Sequence, residues 1–137
     1  MIASGDAAGA EREFREVVRR HPDYARAHFS LGAIADQRGQ RVDAQREYEL
    51  AVRYAPNLPD ARVRLAEVLR ARGQLQPSIA QYSEAVMLDP TQVAAWVGGA
   101  QALMALGEKD HARDWLARAR RLHPANATLA QLEANLR

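Results

Sequence analysis

The 137-residue sequence has no cysteine, which excludes a disulfide framework, Cys-ligated zinc and thiol chemistry. Aromatic residues make up only 6%. No apolar run approaches the roughly 20 residues that a helix needs to cross a bilayer, so no membrane insertion is expected. The opening Met1-Ile2-Ala3-Ser4-Gly5-Asp6 lacks the basic and apolar stretches of a secretory leader. Charge of one sign is scarce as well: 19 cations against 17 anions leave a net charge of +2. A nucleic-acid-binding domain usually carries a clustered cationic excess, so no nucleic-acid partner is expected. The expected compartment is the cytoplasm, although a chain without cysteine suits the periplasm equally well.

Helix formers fill the sequence instead. It has 28 alanines, and 18 of its 19 cations are Arg; both residue types rank near the top of the helix-propensity scale. A hydrophobic fraction of 47% excludes a disordered chain, and the length suffices to bury a core.

The helix breakers carry the organisation. Pro22, Pro56, Pro90 and Pro124 stand 34 residues apart, and so do Gly5, Gly39, Gly73 and Gly107. Two interleaved series at one period mark an internal repeat. Between them apolar residues keep the helical period, as at Ala27, Leu31, Ile34 and Ala35, and again at Ala61, Leu65, Val68 and Leu69. Asp23, Asn57 and Thr91 follow the periodic prolines and are expected to cap the helices after them. The turn glycines are expected to end helices in the left-handed conformation. The pattern predicts eight helices, near 6–21, 23–38, 41–54, 58–72, 75–88, 92–106, 109–122 and 126–136, with no competing strand signal.

Positions 34 apart form columns. One pairs a packing residue with a small one: Leu31-Gly32, Leu65-Ala66, Gly99-Ala100. Ala10, Ala44, Ser78 and Ala112 form a small column; Phe14, Tyr48, Tyr82 and Leu116 a large one; Val17, Ala51, Ala85 and Ala119 follow on the same face. Large residues set over small ones are what paired helices need.

These columns resemble the tetratricopeptide repeat, with Trp96, Leu31, Gly32, Ala44, Tyr48, Ala51 and Pro56 among the matching residues. The departures are Ala35, Leu69 and Leu103 in the Tyr column of the first helix, and Gly99 in place of the usual Leu. The resemblance covers nearly the whole chain, read as one domain over 1–137. It divides into a second-helix half repeat at 5–24, full repeats at 25–58, 59–92 and 93–126, and a terminal capping or truncated helix at 127–137. It implies an all-α, right-handed superhelical solenoid of antiparallel helix pairs, with a concave groove lined by the first helix of each pair.

Chemistry is sparse. His21, His28, His111 and His123 include no i, i+4 pair that could hold a metal from one helix face, and His28 stands in the bulky column of Trp96. No serine has a nucleophile elbow around it. Gly98-Gly99 falls inside a helix, where a close backbone contact or a ligand notch would account for it. The arginine clusters interleave with acidic residues, with Glu11–Arg15, Glu16–Arg20 and Asp114–Arg118 at i, i+4 spacing. No catalytic residue, metal or cofactor is therefore expected.

What remains is the groove that the resemblance implies. Its columns carry over to Phe29, Ala33, Asp36 and Gln37, then to Val63, Arg64, Glu67 and Arg70, then to Val97, Gln101 and Met104. Gln131 and Asn135 continue them on the last helix. Phe29, Val63 and Val97 would form an apolar strip. Some members of this family clamp chaperone C-terminal carboxylates with Lys, Asn and Arg. Phe29, Ala33, Arg64, Ala94 and Gly98 stand in those columns here, so that ligand is not expected. The resemblance implies a non-enzymatic scaffold that binds a peptide or helix of a partner protein. The alternatives are the repeat portion of a larger enzyme, such as a glycosyl- or sulfotransferase, and a self-association module. A homo-oligomer would form through helix 6–21, whose Phe14, Val17 and Val18 lack a first-helix partner.

Overall fold

The computed structural model describes residues 4–137. Met1, Ile2 and Ala3, at the head of the segment without leader features, lie outside the described residues. Eight helices follow in order among the described residues: α1 (Ser4–Arg20), α2 (Ala25–Gln37), α3 (Arg41–Tyr54), α4 (Pro59–Ala71), α5 (Leu75–Leu88), α6 (Val93–Ala105), α7 (Lys109–Leu122) and α8 (Ala127–Asn135). None is long and apolar enough to cross a membrane.

The glycine punctuation works as expected at three of its four places. Gly39, Gly73 and Gly107 take φ of 73°, 78° and 84°, which an L side chain adopts only with strain. At the first, the Gln40 amide donates to Ala35 O over 2.9 Å and the Gly39 amide to Asp36 O over 3.0 Å. This closes the helix end in the Schellman pattern. The fourth glycine, Gly5, lies inside α1 instead.

The proline-side caps fall elsewhere than expected. α2, α4 and α6 begin two residues after Asp23, Asn57 and Thr91. A backbone turn, with Tyr24 N donating to His21 O over 3.0 Å and Gln92 N to Asp89 O over 3.4 Å, separates the proline from the first helical turn. Thr91 instead donates to Asp89 Oδ1 from its amide and hydroxyl. The capping column is the next one along. Tyr24 and Gln92 occupy it without a side-chain bond to the helix's first amides, whereas Asn126 accepts from Leu129 N over 3.0 Å.

The chain divides into two compact units, Met1–Ala61 and Arg62–Arg137. In the first, α2 buries Ala27, Leu31, Ile34 and Ala35, and α3 buries Ala44, Tyr48 and Ala51. Full burial of Leu31 or Ile34 contributes about 2 kcal/mol. Gly32 lets the Tyr48 ring lie directly on α2, since a Cβ there would stand 2.7 Å from the ring.

The second unit repeats the large-on-small arrangement with heavier side chains. Gly98 faces the Tyr82 ring and Gly99 the Trp115 indole, each too close for a Cβ. The helical Gly98-Gly99 pair is thus explained by packing. Trp96 and Trp115 pack with ring centroids 5.0 Å apart. α8 docks through buried Leu129 and Leu136 and half-buried Leu132. Arg113 on α7 donates to Leu136 O over 2.9 Å and so satisfies a carbonyl at the end of α8.

Candidate peptide-binding surface

In each of the three helix pairs one first-helix position bonds the second-helix position 19 residues on, by a different chemistry each time. His28 Nδ1 lies 2.8 Å from Glu47 Oε2. Arg62 Nη1 donates to Gln81 Oε1 over 3.0 Å. Trp115 Nε1 donates to the Trp96 carbonyl over 2.7 Å. His28 and Trp96 also play the same part at the preceding turn, with His28 Nε2 2.7 Å from Pro22 O and Trp96 Nε1 2.9 Å from Pro90 O. His28 is thus a packing residue, stacked on the Tyr54 ring at 5.8 Å. The arginines behave as a solvated face, with Glu11–Arg15 at 2.8 Å and Glu16–Arg20 at 2.9 Å. Arg118, expected to pair with Asp114, instead lies over the Trp96 ring at 5.5 Å.

In the first unit the expected groove residues lie along α2. Phe29 and Ala33 are half-buried and Gln37 is exposed. The Phe29 ring packs on Tyr48 at 5.7 Å. Half-buried Asp36 accepts from the Tyr48 hydroxyl over 3.5 Å.

In the second unit Val63 departs from expectation. It is only 7% exposed and belongs to the core cluster with Ala66, Ile79 and Tyr82, so it offers a ligand almost no surface. Arg64 is exposed and stands 3.8 Å from half-buried Glu67. Arg70 Nε donates to the Tyr82 hydroxyl over 3.3 Å. Burial raises the Tyr82 pKa and the Arg70 bond partly offsets this. Val97, Gln101 and Met104 are half-buried on α6, with Val97 and Met104 resting on the core. On α8 exposed Gln131 donates to Asn135 Oδ1 over 3.0 Å.

The residues that sequence reasoning missed are the second-helix tyrosines. Tyr48 and Tyr82 are read there as packing residues alone, yet their hydroxyls reach Asp36 and Arg70, in the column expected to line the groove. The signal lies in the pairing of two columns. Where the second-helix position is Tyr, the first-helix position is charged. In the third pair, where it is Leu116, the matching residue is Met104. At 3.5 and 3.3 Å these are long contacts, which set a hydroxyl beside each charge.

Among the described residues no three or more His, Asp or Glu side chains gather as a metal set. A cavity in the first unit lined by Glu11, Arg38, Arg46 and Glu47 measures only about 20 Å³, room for about one water.

Two family models described as tetratricopeptide repeat match the chain, one over residues 1–57 and 69–136 and the other over 34–92. No curated protein matches it. Among solved structures it is similar to MamA, with 20% identity, a TM-score of 0.87, and coverage of 96% of this chain and 77% of that one. A similar likeness joins it to YrrB, titled a TPR protein with an unusual peptide-binding site, at 18% identity and a TM-score of 0.86 over 96% of this chain and 68% of that one. The first TPR of Spaghetti (RPAP3), solved with an HSP90 peptide, matches at 18% identity and a TM-score of 0.75 over 82% of this chain and 89% of that one. At these identities the likeness is one of fold, an all-α solenoid of helix pairs. With family models covering most of its length and the packing columns filled as the repeat requires, the chain belongs to the tetratricopeptide repeat family.

Proposed function

We propose that the chain is a protein-interaction module that takes a peptide or helical segment of a partner protein in the concave groove its family implies. The observation that carries this reading is the pairing of second-helix tyrosine hydroxyls with charges in the expected groove column, Tyr48 with Asp36 at 3.5 Å and Tyr82 with Arg70 at 3.3 Å. Packing alone does not call for a charge beside a buried tyrosine, and a folded helical surface loses little entropy on binding a flexible segment. Exposed Arg64 and Gln37, with half-buried Phe29, Ala33, Glu67, Val97, Gln101 and Met104, supply mixed polar and apolar contacts. Such a set suits an extended backbone with scattered side chains.

The family neighbours support the reading, since one holds a chaperone peptide and another is titled for its peptide-binding site. The chaperone-carboxylate clamp is not carried over, because Phe29, Ala33, Arg64, Ala94 and Gly98 stand in its columns. The test is a peptide selected by display on the immobilised chain and titrated into the Arg64→Glu, Arg70→Glu variant. Affinity should fall about tenfold or more with helicity unchanged. Undiminished affinity would remove the groove from consideration.

A further inference from the structure

Arg70 carries a charge that its own surroundings leave unanswered. The residue is half-buried in the last turn of α4, and its Nε donates to the Tyr82 hydroxyl over 3.3 Å. Among the described residues that phenol is its only partner, and neither Nη has an acceptor. Tyr82 cannot supply a countercharge. It is 0% exposed, and burial raises its pKa, so the phenol is neutral at physiological pH. Glu67, one turn earlier on α4, stands 3.8 Å from Arg64. A cation partly withdrawn from water is stabilised when an anion is placed on it.

We propose that Arg70 selects the partner: the segment in the groove carries an Asp or Glu side chain that pairs with the two Nη atoms of Arg70, beside an apolar side chain that rests on α6. The inference rests on the groove reading above. Two Nη atoms on one guanidinium can hold both oxygens of a carboxylate. Neither Asp36 nor Met104, in the same column, would attract an acid, so the column favours one at Arg70 only.

A carboxylate suits the place better than a phosphate group. Arg64 is turned to Glu67, which leaves the charge of one arginine to balance, whereas a phosphate group carries nearly two. The acid is a side chain rather than a chain end, because the clamp that holds a terminal carboxylate in this family is absent here. The apolar neighbour follows from the columns. The position of Arg70 in α4 is that of Met104 in α6, which is half-buried and packs on the same core as Val97 and Tyr82.

The probe is a random library of short peptides, each fused at its C-terminus so that side chains alone offer carboxylates, selected on the immobilised full chain. Selected peptides should share one Asp or Glu beside an apolar residue. Selection on Arg70→Glu should put Lys or Arg at the acid's place. In titrations, changing the shared acid to its amide should cost about tenfold in affinity for the unaltered chain and less than about twofold for Arg70→Gln. Arg70→Lys keeps a cation at the helix C-terminus but lacks the paired Nη atoms, so it should recover only part of the loss. Thermal melts show whether each variant is folded. Peptides that lose affinity for the Arg64→Glu, Arg70→Glu variant yet share no acid would overturn this inference and leave the groove reading standing. So would an acid that matters equally in Arg70→Gln, or one whose effect vanishes in Arg64→Gln instead. Peptides indifferent to the double change, or no selected peptide at all, would sink both readings.

Discussion

His28 lies between two acceptors, its Nε2 2.7 Å from Pro22 O and its Nδ1 2.8 Å from Glu47 Oε2, with only 6% and 9% of the two residues exposed. The ring joins the start of α2 to α3 and to the turn that precedes it. Removing one member of a buried pair strands the other, at a cost of about 3 kcal/mol, whereas replacing both with apolar residues costs far less. Glu47→Ala should therefore lower the urea midpoint more than the double change His28→Leu, Glu47→Leu. A double variant less stable than Glu47→Ala would show that the pair contributes through its own attraction.

That pairing also shows how far the sequence is legible. The 34-residue spacing sets out the eight helices, and His28 can be placed in the bulky column beside Trp96. What the spacing cannot show is that Glu47 would turn inward, because a Glu in a helix reads as surface until its buried partner is known. Asp23, Asn57 and Thr91 are misassigned as caps for a related reason. Capping depends on where the first helical turn begins, and a two-residue turn shifts that start. Val63 is assigned to the groove because it stands in the column of Phe29 and Val97, yet it packs into the core with Ala66, Ile79 and Tyr82. The resemblance leads to Asp36 and Arg70 as expected groove residues, but the tyrosine hydroxyls beside them come to light only when two columns are read together.

Helical glycines give the second prediction, which contrasts two positions. At Gly99 a Cβ would collide with the Trp115 indole, whereas at Gly9 the nearest group is the Arg12 guanidinium at 3.9 Å. Gly→Ala in a helix otherwise gains about 1 kcal/mol. Gly9→Ala should be stabilising by about that amount. Gly99→Ala should be destabilising by about 2 kcal/mol, as overpacking outweighs propensity. Thermal melts of the two variants decide this, and equal gains would mean that the indole moves aside at little cost.

Ser78 supplies the third. Its hydroxyl is buried without a hydrogen-bond partner, in the column where the other helices carry Ala10, Ala44 and Ala112. A buried unpaired hydroxyl costs about 1–3 kcal/mol, and alanine fits the same space. Ser78→Ala should raise stability by about 1 kcal/mol in denaturant unfolding. A loss of stability would show that the hydroxyl has a partner in solution.

The last concerns acid. On α1, hydrogen bonds from Arg19 and then Arg20 bring the Glu16 pKa from 4.5 down to about 2. Bonds from Arg38 and Arg15 lower that of Glu11. A carboxylate whose pKa is lower in the folded state binds fewer protons there than when unfolded. Its contribution is therefore complete above pH 4.5 and is lost as the pH falls toward 2. Glu16 is exposed and its pairs are screened by salt, so its share should shrink in high salt. Glu11 differs because Arg38 caps the C-terminal end of α2, and their contact of 2.5 Å ties α1 to that end. Between pH 5 and pH 2.5, roughly the span over which native carboxylates protonate, the amide protection factors of α1, corrected for the intrinsic exchange rate at each pH, should fall. Glu11→Gln should flatten that pH dependence more than Glu16→Gln does in high salt, because only Glu11 holds α1 to its neighbour. Equal flattening by the two variants would mean that the tie to Arg38 adds nothing to the helix.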